Sequence, residues 1–345
     1  MRKIAVILFN LGGPDQSESV KPFLFNLFND KAIIGVPQPI RWLIACLISG
    51  RRAPIAQEIY SHLGGGSPLL ENTKLQAIAL EQRLKEKLPD VNIKCFLSMR
   101  YWHPMSLDTA LKVKKWNPDK VILLPLYPQY STTTTGSSLD DWYKSAKKVG
   151  LIQETVAACC YPTDNGFIDA IAGRLQTALD DAVHHKPFRI LFSAHGLPQK
   201  VVDKGDPYQW AVEETAASVI KKIVGVKIDW RVSYQSRVGP LSWIKPYTED
   251  EIKRAGREGM SLVVVPIAFV SEHSETLVEL DIEYRHLAEN AGVPNFVRVG
   301  TVACDAAFIE GLADIVAGLD RKPKGVYVPS GARSCPSICR QCPIK

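Results

Sequence analysis

Residues 262–284 read Leu-Val-Val-Val-Pro-Ile-Ala-Phe-Val-Ser-Glu-His-Ser-Glu-Thr-Leu-Val-Glu-Leu-Asp-Ile-Glu-Tyr. The stretch opens as an unbroken apolar run, Leu262 to Val265, continued by Pro266 and Ile267. A run without alternation marks a strand buried on both faces of a parallel sheet. Ser271, a good N-cap, then predicts the start of a helix. Glu272, Glu275, Glu279 and Glu283 follow at spacings of three and four, which predicts one shared helix face. Most rows of carboxylates are solvated faces, because like charges repel unless water or cations surround them. These acids, however, begin where a buried strand ends. Open α/β sheets bind ligands in the crevice at the carboxyl ends of their strands. With His273 among them, the acids suit protons or a hard cation.

Working outward, two halves repeat one plan. The first has strands at Ile4–Phe9, Ile93–Leu97 and Val121–Leu124. The second has them at Arg189–Phe192, Asp229–Ser233 and the opening stretch. Helical patterns lie between them at Lys74–Lys87, Asp108–Trp116, Phe167–Val183, Trp210–Ile223 and Thr248–Glu258. This alternation predicts two doubly wound α/β domains that face each other across a cleft. The first two strands are about 90 residues apart in the first half and about 40 in the second. The surplus, about residues 15–65, holds the apolar segments Phe23–Phe28 and Ile33–Ile44 and ends near Arg51-Arg52. It suits an ordinary core helix pair, the lining of a pocket for a flat apolar ligand with acidic tails, or contact with a membrane interface.

The chain has 345 residues, 46% hydrophobic and 23% charged, a globular composition long enough for two domains. Its net charge of +6 is too mild to imply nucleic acid and suits an anionic ligand or anionic membrane surface. Met1-Arg-Lys and Ile4–Phe9 faintly mimic a signal peptide, but Asn10-Leu-Gly-Gly-Pro14 offers no cleavage site. No apolar run reaches the length of a membrane span. A cytoplasmic protein touching the inner face of the membrane is the expectation.

His195 follows a buried strand in Ser193-Ala-His-Gly-Leu-Pro198, where Gly196 and Pro198 tighten the loop. Imidazole exchanges protons near neutral pH and ligates metals. A lone His is more often structural; this one sits at a strand end in the same half as the acids. Gly64-Gly-Gly-Ser-Pro68 reads first as a turn. Beside Arg51, Arg52 and Tyr60 it also suits a carboxylate clamp. It lacks the features of a P-loop and of a dinucleotide fingerprint, so no nucleotide cofactor is expected.

These blocks resemble the ferrochelatase family. The resemblance runs through Asn10–Pro14, Gly64–Pro68, Met99-Arg-Tyr-Trp-His-Pro104, Tyr127-Pro-Gln-Tyr130, Ser193–Pro198, Tyr234-Gln-Ser-Arg-Val-Gly-Pro240, Pro266–Thr276 and Glu279–Tyr284, in order and over nearly the whole length. It implies a chelatase fold: two similar Rossmann-like domains, each with a four-stranded parallel sheet, holding a porphyrin between them. Residues 1–160 would form the first, 161–320 the second and 321–345 a cysteine-rich extension. The implied activity is a lyase reaction: Fe2+ enters protoporphyrin IX, two protons leave and protohaem forms, the last step of haem biosynthesis. The family's catalytic His corresponds to His195 and its acidic partner to Glu275. His273, Glu279 and Glu283 would continue a metal or proton path, with Arg100 and Tyr101 on the far side of the macrocycle. Arg52, Tyr60 and Ser67 would meet the propionates, and Leu11, Tyr130 and Trp243 would line the ring.

Three of eight cysteines, Cys335, Cys339 and Cys342, crowd the C-terminus. Without a secretion signal, such density reads as zinc or an iron–sulfur centre. The resemblance implies a [2Fe–2S] cluster whose fourth ligand is Cys159 or Cys160. Here the sequence departs from the animal pattern, which Ala170 fails to supply. Cys46, Cys95 and Cys304 lie in apolar patterns and are expected in the core. The apolar insertion, which the resemblance makes a lip over the porphyrin, and the tail also offer surfaces for a homodimer. The alternatives are a coproporphyrin III chelatase and, from another class, a haem- or metal-binding redox sensor.

Overall fold

The computed structural model describes residues 1–182, 187–224 and 228–344; Val183, the end of one predicted helix, lies outside them. The chain divides into two compact units. The first comprises Met1–Cys160, Leu312–Ala332 and Ile344; the second comprises Tyr161–Gly311 and Arg333–Pro343.

From the N-terminus come β1 (Arg2–Asn10), α1 (Val20–Phe28), α2 (Gln38–Ser61), α3 (Leu69–Lys87), β2 (Val91–Met99), α4 (Ser106–Trp116), β3 (Lys120–Pro125), α5 (Ser137–Val149) and β4 (Glu154–Ala158). There follow α6 (Asn165–Ala182), β5 (Phe188–His195), α7 (Gln199–Asp203), α8 (Tyr208–Lys222), β6 (Asp229–Gln235), α9 (Thr248–Arg257), β7 (Ser261–Pro266), α10 (Tyr284–Asn290), β8 (Phe296–Arg298), α11 (Ala306–Asp320) and β9 (Gly325–Tyr327). The first sheet has the order β2-β1-β3-β4-β9 and the second β6-β5-β7-β8, with every pairing parallel. Four strands were expected in each. The first sheet has a fifth because the chain returns after α11 to pair Gly325–Tyr327 with Val156–Ala158. Three residues are too short a run to announce a strand.

The central strands are apolar along their length because helices cover both faces. Ile4 to Phe9 and Ile190 to Phe192 are buried throughout. Each large apolar side chain so removed from water contributes about 1.5–3 kcal/mol. Around β1 and β3 pack Val113 of α4 and Leu139 and Trp142 of α5. Around β7 pack Ile252 and Ala255 of α9 and Tyr284 and Ala288 of α10. On the edge strand β2 the Cys95 N–H donates to the Glu81 carboxylate at 3.0 Å, which blunts an open edge.

The repeat is visible in the strand register. Phe9 pairs with Pro125 as Ser193 pairs with Pro266, and Asn10 pairs with Met99 as Ala194 pairs with Tyr234. Leu11 therefore holds the position of His195, and Arg100 that of Gln235. After β3 the segment Thr132–Gly136 is π-helical, and after β7 so is Glu275–Glu283. The surplus of the first half is α1 and α2. They bury Val20, Phe23, Leu24 and Tyr60 against Tyr101.

Candidate active site

The acidic helix does not begin at Ser271. Its cap is Ser274, and Glu275–Glu283 winds as a π-helix, whose bonds run i to i+5. Such widened turns concentrate at functional sites. The predicted single face of four acids is therefore corrected. Glu272 lies before the helix and bonds Arg298 Nη1 at 2.7 Å and the Thr301 N–H at 2.9 Å. Glu283 is exposed. Arg298 also clasps Asp281, with its Nε 2.9 Å from Oδ1, and so fixes the side of the helix away from Glu275.

Glu275 faces His195. His195 Nδ1 lies 2.8 Å from Glu275 Oε2, while the imidazole keeps 39% of its surface exposed. With the carboxylate ionised, this bond requires Nδ1–H as donor, which leaves Nε2 with a free lone pair. Burial disfavours charge on His195, but Glu275, with Glu279 behind it, more than offsets this and raises the imidazole pKa. Glu275 is lowered well below the usual carboxylate range: burial opposes its charge, and His195, His273 and Ser236 overcome that. His273, buried against Phe269, has its pKa lowered by burial; its Nε2 is 3.9 Å from Glu275 Oε1 and its Nδ1 has no hydrogen-bond partner among the described residues.

Glu279 is enclosed by donors. The Ser236 N–H reaches it at 2.8 Å, Gln235 Nε2 at 3.0 Å and the Tyr284 hydroxyl at 3.0 Å, and the Ser236 hydroxyl also bonds it. Tyr284 is five residues on, which the π-helix turns toward Glu279. Burial and the neighbouring Glu275 raise the Glu279 carboxyl to about 7, against the help of those donors. The Ser236 hydroxyl also lies 3.1 Å from Glu275 Oε2, so one side chain, with a single proton to share, bridges both acids. It does so from a left-handed backbone, φ +63°, a conformation that costs a non-glycine residue energy and gathers at functional sites. Gln235 is held in turn by the Ser193 hydroxyl at 2.7 Å. Neither Ser236 nor Gln235 was singled out by sequence reasoning, although both stand in the Tyr234–Pro240 block. Trp243 packs edge-on against His195 with ring centres 6.4 Å apart, and its Nε1–H donates to the Val238 carbonyl at 3.2 Å.

In the first unit a different cluster occupies the strand ends. Asp30 accepts from Tyr101 at 2.8 Å and Arg100 at 2.9 Å, and also from Ser137. Burial pushes the Asp30 carboxyl up; Arg100, Ser137, the Ala32 N–H and Tyr101 hold it below its ordinary value. Tyr60 is in the same core as Tyr101, with Leu11 and Trp102 at its margin. The glycine stretch terminates α2: Gly64 and Gly65 have φ of +79° and +96°, and Gly65 donates to the Tyr60 carbonyl. Ser67 donates its N–H to the Pro14 carbonyl. Arg52 is half-buried, with burial lowering its pKa, and has no ion-pair partner among the described residues. Tyr130 is buried.

Among the described residues no three His, Cys, Asp or Glu side chains form a ready metal-binding group. In the tail, Cys339 and Cys342 are buried, and Arg333 Nε approaches Cys335 Sγ at 3.2 Å. A hydrogen bond from Cys159 lowers the Cys160 pKa. Cys304 is exposed, not a core residue, because it lies in the open turn before α11; Cys46 and Cys95 are part-buried. Among the described residues no helix is long and apolar enough to cross a membrane.

The sequence profile named Ferrochelatase matches residues 3–319. Ferrochelatase of Caulobacter vibrioides is 51% identical over 344 residues, covering 100% of this chain and 98% of that protein. The Pelagibacter ubique ferrochelatase is 47% identical, covering 99% of this chain and 98% of that one. Among solved structures, SirB from Bacillus subtilis with Fe3+ superposes with a TM-score of 0.56 at 12% identity, over 94% of this chain and 100% of that one. At that identity the likeness shows a shared fold alone. The fold, the strand-end chemistry and this full-length similarity together mean that the chain belongs to the ferrochelatase family, lyases that insert iron into a porphyrin in haem synthesis.

Proposed function

We propose that the chain inserts Fe2+ into protoporphyrin IX, with His195 and Glu275 as its acid–base pair. The observation that carries this reading is the 2.8 Å bond between Glu275 and a part-exposed His195. A free-base porphyrin must lose two N–H protons as the metal enters. Neutral His195 offers Nε2 to a pyrrole N–H, and the Glu275 carboxylate steadies the imidazolium that forms. Glu279, already held by the Ser236 N–H, the Gln235 amide and the Tyr284 hydroxyl, takes no tight hold of iron. It keeps the proton balance beside Glu275, with His273 as a neutral neighbour. Carboxylate and imidazole suit divalent iron as a passing substrate better than thiolates would.

In the first unit Arg100 and Tyr101 are assigned to the far side of the macrocycle. Leu11, Tyr130 and, in the second unit, Trp243 are assigned to the ring. Arg52 is assigned to a propionate, which its unpaired guanidinium supports, with Tyr60 and Ser67 beside it. The α2 helix exposes Ile40, Leu43, Leu47 and Ile55 along one side and Trp42 next to them. This stripe supports an apolar porphyrin and a peripheral contact with the cytoplasmic face of a bilayer.

Cys335, Cys339 and Cys342, with Cys159 or Cys160, would hold a [2Fe–2S] cluster. The burial of two tail thiols and the cation beside Cys335 fit thiolate ligation. Such a cluster supplies a one-electron centre and a clasp for the tail. The decisive assay measures zinc insertion into free-base protoporphyrin and coproporphyrin. Protoporphyrin preference, lost in His195→Ala and Glu275→Gln, is expected. Wild-type turnover in both variants overturns the roles, and coproporphyrin preference overturns the substrate.

A further inference from the structure

The tail and His195 belong to the same unit and are joined by a short run of contacts. The tail rests on Gly205. The Gln341 N–H donates to the Gly205 carbonyl at 3.0 Å. Gly205 itself has φ +96°, and a Cβ there would come within 2.7 Å of the Arg340 nitrogen and 2.9 Å of the Ile338 carbonyl oxygen. Only glycine permits both the conformation and the approach. The tail turn is ordered from its other side by Arg333, which donates to the carbonyls of Cys335, Pro336 and Cys339.

The next residue, Asp206, is buried, and its carboxylate caps α8 by accepting the Tyr208 N–H at 3.0 Å. Tyr208, also buried, points its hydroxyl at the His195 carbonyl, 3.0 Å away. That carbonyl ends β5. It belongs to the residue whose imidazole meets Glu275. Four residues, Gly205 to Tyr208 in one tight turn, thus tie the seat of the tail to the strand end that carries His195.

We propose that Tyr208 is a positioning residue for His195, and that through it the seating of the C-terminal tail on Gly205 sets the aim of the imidazole. The inference rests on the reading of His195 as the base. It gives the cysteine-rich tail a mechanical role in the chemistry: whatever loosens the tail releases the Gly205–Tyr208 turn and lets the strand end drift.

The test uses the full chain with Tyr208→Phe, Gly205→Val, Gln341→Pro and the combinations with Tyr208→Phe. Three quantities are read: zinc insertion into free-base porphyrin, the pH titration of His195 by NMR of labelled imidazole, and hydrogen exchange of the tail amides. Tyr208→Phe is expected to lower kcat about fivefold, the effect of one lost hydrogen bond, with KM unchanged and the tail amides still protected. It also displaces the His195 titration. Gly205→Val and Gln341→Pro are expected to free the tail amides and reproduce both the kcat loss and the displaced titration. Added to Tyr208→Phe, they lower kcat no further. Should Gly205→Val fail to fold, Gln341→Pro, which removes the Gln341 donor and stiffens the backbone of a surface turn, puts the same question. A freed tail with an undisturbed His195 titration overturns the proposal, whatever happens to turnover. So does an inert Tyr208→Phe, or losses that multiply. The titration separates this failure from failure of the base assignment, which only the His195→Ala turnover addresses.

Discussion

At the carboxyl end of β1 the first unit places Leu11, and at that of β5 the second places His195; beside them stand Arg100 and Gln235. The scaffold is the same, down to the π-helical segment after the third strand, which is a run of threonines in one unit and carries Glu275 and Glu279 in the other. The difference is in what each unit must keep ionised. The first spends its cation on a buried structural acid: Arg100 holds Asp30, with Tyr101 and Ser137. The second pairs its acid with an imidazole that remains open to a ligand. A duplicated fold therefore supplies equivalent positions, and the side chains decide what chemistry each copy can offer there.

The harshest way to break the comparison is to make the second unit resemble the first. His195→Leu is expected to lower kcat for zinc insertion by roughly 10²–10⁴, the usual worth of a positioned acid–base group. A loss under threefold would remove His195 from the reaction. Arg100→Met tests the other side. It leaves Asp30 buried without its cation and is expected to cost roughly 2–4 kcal/mol in denaturant unfolding. The double variant Arg100→Met/Asp30→Asn should recover part of that; if it is no better, the pair is not what the cation serves.

The pH dependence sharpens the contrast. His195 must be neutral to accept a proton, and its pKa is raised, so kcat should climb with pH through a point above 6.5 and then level. Glu275→Gln should move that point down, because the charge that raises it is gone; no movement means another group controls the limb. Glu279 works through stability. Its folded value of about 7 lies above its ordinary 4.5, so the fold binds its proton more tightly than the unfolded chain does. That stabilisation is complete below 4.5 and is lost as pH rises toward 7, by roughly 2–3 kcal/mol at most. Relative to the wild type, Glu279→Gln should therefore gain stability between pH 5 and 8. A constant difference across that range would show that the carboxyl is ionised throughout.

How much of this was legible in the sequence depends on range. Continuous apolar runs such as Ile4–Phe9 and Leu262–Val265 announced buried parallel strands, since burial on both faces leaves no alternation. His195 stood out because it follows such a strand, and the acidic stretch because it begins where another ends; the choice of Glu275 among those acids came from the family resemblance. Two properties of the site were hidden. The π-helical winding of Glu275–Glu283 is set by tertiary partners, and the i, i+3, i+4 spacing of its acids reads as an α-helix. Ser236 and Gln235 acquire their roles only when β6 is laid beside β5, a pairing of residues some 40 positions apart. Arg298 closes on Glu272 and Asp281 in the same long-range way. Asp30 did not stand out in the sequence, because nothing local foretells its contact with Arg100.

The strand β9 has a consequence for how the molecule is made. It covers the edge of β4, and Lys120 reinforces the return by donating to the Asp320 and Lys322 carbonyls. A chain synthesised from its N-terminus produces Tyr161–Gly311, the bulk of the second unit, before that strand exists. The N-terminal sheet, first to leave the ribosome, waits with an open edge until residue 327 has emerged. Completion of the earliest-made half is thus a late event in translation, and nascent chains stopped short of β9 expose a pairing edge that invites aggregation.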